Sequence, residues 1–233
     1  MLKLIKTYLL DSLAIFYPAI CFACGELLFR GENVICTNCI VGLPRTNFHR
    51  FANNKMEKQF WGRVMVEAAF AFFYFQKRGR IQRLLHTLKY KKNPEIGEKL
   101  GSLYAAELMA ENKLHSIDYI IAIPLHKKKM KVRGYNQSLC FAEGISKQLN
   151  KPVLKNCLKR VKNNATQTKK SRFERFKNVA TVFKVSKASE LKNKHLLLVD
   201  DVMTTGSTLA ACVQLFNKID GCKVTIATIA YAE

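Results

Sequence analysis

Residues 196–209 read Leu-Leu-Leu-Val-Asp-Asp-Val-Met-Thr-Thr-Gly-Ser-Thr-Leu, and this stretch decides the fold. The apolar run at 195–199 predicts a buried strand, and helical spacing over 207–219 predicts a helix close behind it. Two adjacent carboxylates, Asp200 and Asp201, follow the strand, and a short hydroxyl-rich loop precedes the helix. In an open α/β sheet, ligands bind outside the carboxyl ends of the strands, so this junction is the first candidate site.

The loop after the acidic pair has the composition of a phosphate cradle. Backbone amides at the start of a helix favour an anion, and Gly206 lets the backbone approach that anion closely. The residues predicted to bind the ligand are Val202, Met203, Thr204, Thr205, Gly206, Ser207 and Thr208. Asp200 and Asp201, the predicted catalytic pair, are placed to accept hydrogen bonds from sugar hydroxyls or to hold Mg²⁺ through water. The alternative is an ordinary buried strand followed by a capped helix.

The rest of the chain alternates between strand and helix patterns. Apolar runs predict strands at 64–75, 118–123, 153–161, 181–185 and 224–231, and helical spacing predicts helices at 81–90, 96–112 and 136–149. Such alternation predicts a mostly parallel, twisted sheet covered on both faces. The predicted fold class is therefore α/β.

Four of the eight cysteines form two C-x2-C pairs, Cys21 with Cys24 and Cys36 with Cys39. Two residues between cysteines let a tight turn aim both thiolates at one tetrahedral ion, and four thiolates close its coordination shell. The spacing predicts a structural Zn²⁺ in a small N-terminal zinc ribbon. Two disulfides or four unrelated thiols are the alternatives.

The N-terminal region divides from the rest at a polar segment, 53–58, which predicts a linker. The predicted domains are 1–54, with an amphipathic helix over 2–16 ahead of the zinc ribbon, and 60–233. No apolar run is long enough to span a membrane. Because the cysteine spacing does not match a secreted disulfide scaffold, the predicted location is cytoplasmic.

The strand, the acidic pair and the Thr-Thr-Gly-Ser-Thr loop resemble the 5-phosphoribosyl 1-pyrophosphate (PRPP) motif of type I phosphoribosyltransferases. The resemblance implies that Asp200 and Asp201 contact the ribose, with Mg²⁺ bound alongside PRPP, and that the loop holds the 5-phosphate. A basic loop predicted at 125–134 resembles the pyrophosphate loop of these enzymes, which would comprise Leu125, His126, Lys127, Lys128 and Arg133. The alternative for this segment is a solvated basic turn.

Further motifs narrow the resemblance to the ComF family, linked to DNA uptake in naturally competent bacteria. They are the two cysteine knuckles, Leu-His-Thr-Leu-Lys-Tyr at 85–90 and Arg-Gly-Tyr-Asn-Gln at 133–137, and the resemblance spans essentially the whole chain. It implies a flexible loop over the reacting centre that carries Gln167, Arg172 and Arg175. No residue stands out that would recognise an acceptor base. The sequence therefore leaves open an active phosphoribosyltransferase acting on a nitrogen acceptor and a PRPP-sensing regulator without chemistry.

The chain carries 39 Lys and Arg against 17 Asp and Glu, a formal net charge of +22. Such a surplus predicts phosphates, nucleic acid or anionic membrane surfaces as partners. Basic residues interleaved with Phe173 and Phe176 suit single-stranded DNA, and the predicted DNA-binding residues are Lys169, Lys170, Arg172, Arg175 and Lys177. The alternative is a solvated charged face with the two Phe side chains in the core. With the family resemblance, the sequence predicts a competence factor whose partners include competence or recombination proteins.

Overall fold

The computed structural model describes residues 18–161 and 182–233. Its strands are β1 (Ala68–Tyr74), β2 (Tyr119–Ala122), β3 (Leu158–Arg160), β4 (Phe183–Val185), β5 (His195–Met203) and β6 (Lys223–Tyr231). Its α-helices are α1 (Thr37–Gly42), α2 (Lys55–Lys58), α3 (Arg80–Tyr90), α4 (Glu95–Ala110), α5 (Lys127–Arg133), α6 (Gln137–Leu149) and α7 (Ser207–Phe216). Short 3₁₀ helices occupy Phe48–Arg50 and Ala188–Leu191.

A four-stranded parallel sheet in the order β1-β6-β5-β2 forms the centre, and β3 and β4 pair separately as an antiparallel ribbon. The registers Leu197↔Thr225 and Ile120↔Leu197 place β5 between β6 and β2. Residues 196–199 are fully buried, as expected for a parallel strand covered on both faces. This architecture confirms the predicted α/β class.

Helices cover the two faces of the sheet in different ways. On one face α3, α4 and α6 pack against β1 and β5, and on the other α7 packs with the β3–β4 ribbon. The contact between α4 and α6 is close because it is built on glycine. A Cβ at Gly101 would lie 2.2 Å from the carbonyl oxygen of Phe141, and one at Gly144 would lie 2.1 Å from that of Glu98. This contact fixes α6, whose first turn reaches the candidate site.

The cysteine segment packs against the same face as α3 and α4. Cys21 and Cys39 belong to one buried apolar cluster with Phe72 and Leu84. The Arg83 guanidinium of α3 donates a hydrogen bond to the carbonyl oxygen of Cys24 at 2.6 Å. The domain boundary between 54 and 60 stays a prediction.

Several predicted elements differ from the structure, and the segment 53–58, predicted as a linker, contains helix α2 with Met56 buried. The strand predicted to end at 199 continues to Met203, because β6 stays hydrogen-bonded to it through Val202↔Ala230. The basic loop predicted at 125–134 is mostly helix α5, because the His126 side chain caps its start and Gly134, at φ 81°, ends it. The strand predicted at 153–161 is reduced to β3 and an isolated bridge between Val153 and Ile120.

Two groups of predicted residues lie outside the described part of the chain. They are the N-terminal helix over 2–16 and the segment 162–181, which contains the predicted flexible loop (Gln167, Arg172, Arg175) and the predicted DNA-binding residues (Lys169, Lys170, Arg172, Arg175, Lys177). Among the described residues, none of the helices has the length and apolar character needed to cross a membrane.

Candidate functional site

The acidic pair lies inside the last part of β5, beyond the point where β2 ends. Ser138 Oγ, in the first turn of α6, donates a hydrogen bond to Asp200 Oδ1 at 2.8 Å, and the backbone N–H of Asp201 donates to the same oxygen at 2.8 Å. Burial and the neighbouring Asp201 charge together raise the pKa of Asp200 to about 7, against the lowering effect of the Ser138 hydrogen bond. Asp200 therefore changes its charge close to neutral pH.

Asp201 is held by a cation that the sequence analysis did not single out. Lys89 Nζ, at the end of α3, lies 2.8 Å from Asp201 Oδ2, and both side chains are largely buried. The Tyr135 hydroxyl donates to the carbonyl oxygen of Leu88, which ties this end of α3 to the segment before α6. The only sequence signal was the position of Lys89 within the motif at 85–90. The two carboxylates thus differ: one pairs with an ammonium group and the other with a hydroxyl.

The predicted phosphate loop, Thr204 to Thr208, leads from β5 into α7. Gly206 has φ 66°, and a Cβ there would lie 2.9 Å from Met203 Cε and 3.4 Å from the Phe60 ring. Glycine suits this turn, because the backbone lies in the left-handed region and a Cβ there would press on the end of the Met203 side chain. Met203 is buried beneath the loop, whereas Thr204 and Thr205 are exposed.

A second basic residue, Arg63, contacts the loop at 204–208, and it was not among the residues predicted for the site. Its Nη1 donates to the carbonyl oxygens of Thr205 at 3.1 Å and Gln59 at 2.9 Å. The contact holds the loop against the segment that follows α2. No motif pointed to Arg63, because the contact joins residues 142 positions apart in the sequence.

The predicted pyrophosphate residues are spread along α5. Leu125 and His126 precede the helix, Lys127 and Lys128 form its first turn, and Arg133 ends it. Burial, and next the positive charge of Arg160, lower the pKa of His126. Helix α5 follows the carboxyl end of β2, so these residues lie at the same edge of the sheet as the acidic pair.

Arg133 belongs to a small aromatic platform at the rim of the site. Its Nη1 donates to Gln137 Oε1 at 2.7 Å, and its guanidinium carbon lies 5.4 Å from the centroid of the Tyr90 ring. Tyr90 follows Lys89 directly, and the residue is 60% exposed. An exposed ring with an adjacent guanidinium can stack on a planar base.

The four predicted metal ligands converge. The sulfur atoms of Cys21, Cys24, Cys36 and Cys39 all lie within 4.8 Å of one another, and those of Cys24 and Cys36 are 3.8 Å apart. A tetrahedral zinc ion with Zn–S bonds of about 2.3 Å places its sulfur ligands about 3.8 Å apart, whereas a disulfide bond measures about 2.05 Å. The cluster therefore has the donor set and spacing of a four-thiolate zinc site.

The backbone of the knuckles favours thiolate at one of these sulfurs. Burial raises the pKa of Cys21, but hydrogen bonds from the backbone of Cys24, Cys36 and Ala23 outweigh burial and lower that pKa to about 7. The pKa values of Cys36 and Cys39 are raised, first by burial. Four sulfurs this close cannot all ionise without a cation, and a divalent metal ion would be a suitable one.

Comparisons with known proteins identify a family match and several relatives. The family described as phosphoribosyl transferase domain matches residues 136–233. The chain is 29% identical over 207 residues to DNA utilization protein YhgH of Escherichia coli O157:H7, covering 87% of this chain and 86% of that protein. It is 31% identical over 140 residues to competence protein F of Haemophilus influenzae, covering 58% and 61%.

Among solved structures, adenine phosphoribosyltransferase from Leishmania tarentolae is similar at a TM-score of 0.38 and 14% identity, covering 61% of this chain and 73% of that one. The two relatives and the family match confirm the resemblance drawn from the motifs.

Proposed function

We propose that this chain binds Mg²⁺-PRPP or a closely related ribose phosphate, and that it also binds single-stranded DNA in the cytoplasm. The chain is a homologue of DNA utilization protein YhgH and of competence protein F, and it matches the phosphoribosyl transferase domain family. One observation carries the ligand assignment: the Asp200–Asp201 pair and the loop centred on Gly206 meet at the carboxyl end of β5. The pair is suited to ribose hydroxyls and a magnesium ion, and the loop is suited to a phosphate.

Charge at the acidic pair supports a ligand that brings its own cation. Asp201 is neutralised by Lys89 Nζ at 2.8 Å, while the raised pKa of Asp200 leaves that carboxyl partly protonated at neutral pH. Mg²⁺ would let both carboxylates ionise, because a divalent cation nearby stabilises their charged forms. Lys89 would then be released to bind an anionic group of the ligand.

The test is a calorimetric titration of the zinc-loaded protein with Mg²⁺-PRPP. The variant Asp200→Asn/Asp201→Asn keeps the size of both side chains but removes their charge and replaces one acceptor oxygen of each with an NH2 donor. We expect saturable binding to the unchanged protein and at least about a 100-fold loss in the variant, since two charge-assisted contacts are removed. Equal binding by both proteins would place the ligand elsewhere.

The support for single-stranded DNA comes from helix α5 and the platform beside it. None of the α5 residues is buried, and four lysines and Arg133 lie within its seven positions. The exposed Tyr90 ring lies next to Arg133. Cations that follow a phosphate backbone, with an aromatic ring on which a base can stack, are the usual components of a single-strand site.

A pair of charge reversals tests this surface. The test variant, Lys128→Glu/Lys131→Glu, carries both changes on α5. The control variant, Lys113→Glu/Lys218→Glu, has the same change in net charge, but its changes lie near the amino ends of β2 and β6. If two phosphate contacts are lost, the plot of log affinity against log salt concentration should become less steep by about 1.4 in the α5 variant only. Equal losses in both variants would mean that net charge, not this surface, binds the DNA.

The cysteine cluster completes the proposal as a structural zinc site. Four sulfur ligands leave no open coordination position, so the ion would hold the N-terminal segment together rather than act on substrate. The segment packs on α3, the helix that supplies Lys89. Zinc content of the purified protein, measured by atomic emission, should be one ion per chain and should fall when any one of the four cysteines is replaced.

Phosphoribosyl transfer to a nitrogen acceptor is the second candidate. The observation that favours it is the ionisable acidic pair beside the phosphate loop, the set of groups that a type I transferase would use to hold PRPP. Displacement at the anomeric carbon would form a bond to the acceptor nitrogen while the bond to pyrophosphate breaks. Release of pyrophosphate with a panel of purine, pyrimidine and amine acceptors tests it, and no release in a protein that binds PRPP would leave a binding role.

A further inference from the structure

The single tryptophan of the chain, Trp61, stands on the surface beside a cation. The residue is 57% exposed, although tryptophan is usually among the more buried residue types. Lys58 Nζ, at the end of α2, lies 5.9 Å from the centroid of the indole ring. A large exposed ring with an adjacent ammonium group can bind a planar partner that carries negative charge.

The turn that carries Trp61 is joined to the loop at 204–208 on both sides. Phe60 is fully buried, and its ring lies 3.4 Å from the position of a Cβ at Gly206. Arg63 Nη1 donates to the carbonyl oxygen of Thr205 at 3.1 Å. The backbone N–H of Arg63 also donates to the carbonyl oxygen of Phe60 at 3.0 Å, which closes the turn. Trp61 therefore lies at the rim of the loop that is suited to a phosphate.

The helix before this turn is fixed to the sheet. Asn54 Oδ1 accepts hydrogen bonds from the backbone N–H groups of Met56 at 2.9 Å and Glu57 at 3.0 Å, and thereby caps α2. Asn54 Nδ2 donates to the carbonyl oxygen of Ala69 in β1 at 3.0 Å, and Met56 is fully buried. Because the backbone that carries the ring is already ordered, a partner that stacks on it meets a smaller entropic cost of binding.

The chemistry of this surface fits an unpaired nucleotide. The indole ring can stack on a base, and the ammonium group of Lys58 can reach a phosphate of the same strand. Base faces are free for such stacking in a single strand, whereas in a duplex they are stacked on one another. An apolar protein surface would fit less well, because Lys58 and Arg63 flank the ring along the chain.

We propose that Trp61 is a stacking platform for a base of single-stranded DNA, with Lys58 bound to an adjoining phosphate. This inference rests on the proposed binding of single-stranded DNA and names a second contact surface for it. Tyr90, the other exposed ring, follows the lysine that pairs with Asp201, so the two rings lie at opposite ends of the segment 201–205. A strand that contacts both rings crosses the rim of the proposed ligand site.

The test uses Trp61 as its own reporter, because the chain has no other tryptophan. Tryptophan emission of the zinc-loaded protein is followed during titration with oligothymidylate and with an abasic oligonucleotide of the same length. The abasic strand keeps the phosphates but has no base to stack. We expect oligothymidylate to quench the emission in proportion to the DNA bound, and the abasic strand to leave it unquenched.

Two variants measure the contribution of the ring, with binding followed by anisotropy of a labelled oligothymidylate. Affinity should fall about 10-fold in Trp61→Ala and by a smaller factor in Trp61→Phe, which keeps an aromatic face. The matched control is Phe29→Ala, because Phe29 is 75% exposed but its backbone N–H donates to Glu32, so its neighbour is acidic. That variant should bind within about twofold of the unchanged protein. All three variants should keep the melting temperature, since both rings are exposed.

Three outcomes would overturn the inference in different ways. If anisotropy shows bound DNA while the emission is unquenched and Trp61→Ala binds normally, the strand does not use this ring, and binding at α5 still stands. If the emission changes with protein concentration but not with DNA, the partner of the ring is a second copy of this chain. If the unchanged protein binds no single-stranded DNA at all, the DNA-binding part of the proposed function fails together with this inference.

Discussion

Replacing Asp200 by Asn should stabilise the folded protein at alkaline pH, even though it removes a group that the proposed ligand needs. Burial, followed by the charge of Asp201, raises the pKa of Asp200 from 3.8 to about 7. The folded state therefore holds a proton over a range in which the unfolded state has lost it, so stability falls as pH rises from about 4 to about 7. Each unit of pKa is worth about 1.4 kcal/mol, which gives up to about 4 kcal/mol above pH 7.

The residue keeps some contact with solvent, so about 2 kcal/mol is the gain we expect for Asp200→Asn at about pH 8. The amide can still accept the hydrogen bond from Ser138 Oγ, so little is lost in exchange. The assay is urea unfolding of the zinc-loaded protein at about pH 5 and about pH 8, with and without the substitution. The gain should be small at the lower pH, where the carboxyl is protonated in the folded state.

Asp201→Asn is the matched control, because it removes a carboxylate that is paired with Lys89 and should not gain stability. If Asp200→Asn were no more stable than the unchanged protein at the higher pH, Asp200 would be ionised at little cost. The argument from burial and charge repulsion would then be wrong.

Other predictions follow from the same geometry. Affinity for Mg²⁺-PRPP should rise as pH increases through about 7, by up to tenfold per unit below that value, as Asp200 loses its proton; titration at several pH values measures it. Lys89→Met should lower the free energy of unfolding by about 1–2 kcal/mol, and adding Asp201→Asn should recover part of that loss. Gly206→Ala should cost about 1–3 kcal/mol and weaken phosphate binding, measured by urea unfolding and calorimetry, because φ is 66° there. Cys24→Ser should reduce zinc content and lower the melting temperature in a way that added zinc does not restore.

Elements with a strong local pattern were predictable from the sequence. The buried run at 196–199, the two C-x2-C pairs and the alternation of strands with helices each depend on neighbouring residues, and the structure confirms the α/β sheet and the convergence of the cysteines. Helix α5 was missed because a run of lysines carries no apolar periodicity. Its signals were the cap at His126 and the left-handed Gly134.

Residues that complete the site through long-range contacts were not predictable. Lys89 reaches Asp201 from a helix more than a hundred positions earlier, and Ser138 reaches Asp200 across 62 positions. Predicting such contacts requires knowledge of the strand order in the sheet, because that order fixes where each helix ends. Composition alone does not reveal the strand order.

The acidic pair combines features that do not favour the stability of the fold. Burial and the charge of Asp201 raise the pKa of Asp200 to about 7, and Asp201 is paired with Lys89. Mg²⁺-PRPP would offset these costs, because the metal ion would neutralise the acidic pair and Lys89 would be released to an anionic group of the ligand. At one fixed concentration of Mg²⁺-PRPP, the melting temperature of the unchanged protein should therefore rise more than that of Asp200→Asn, because the variant binds the ligand more weakly and stabilisation follows the affinity.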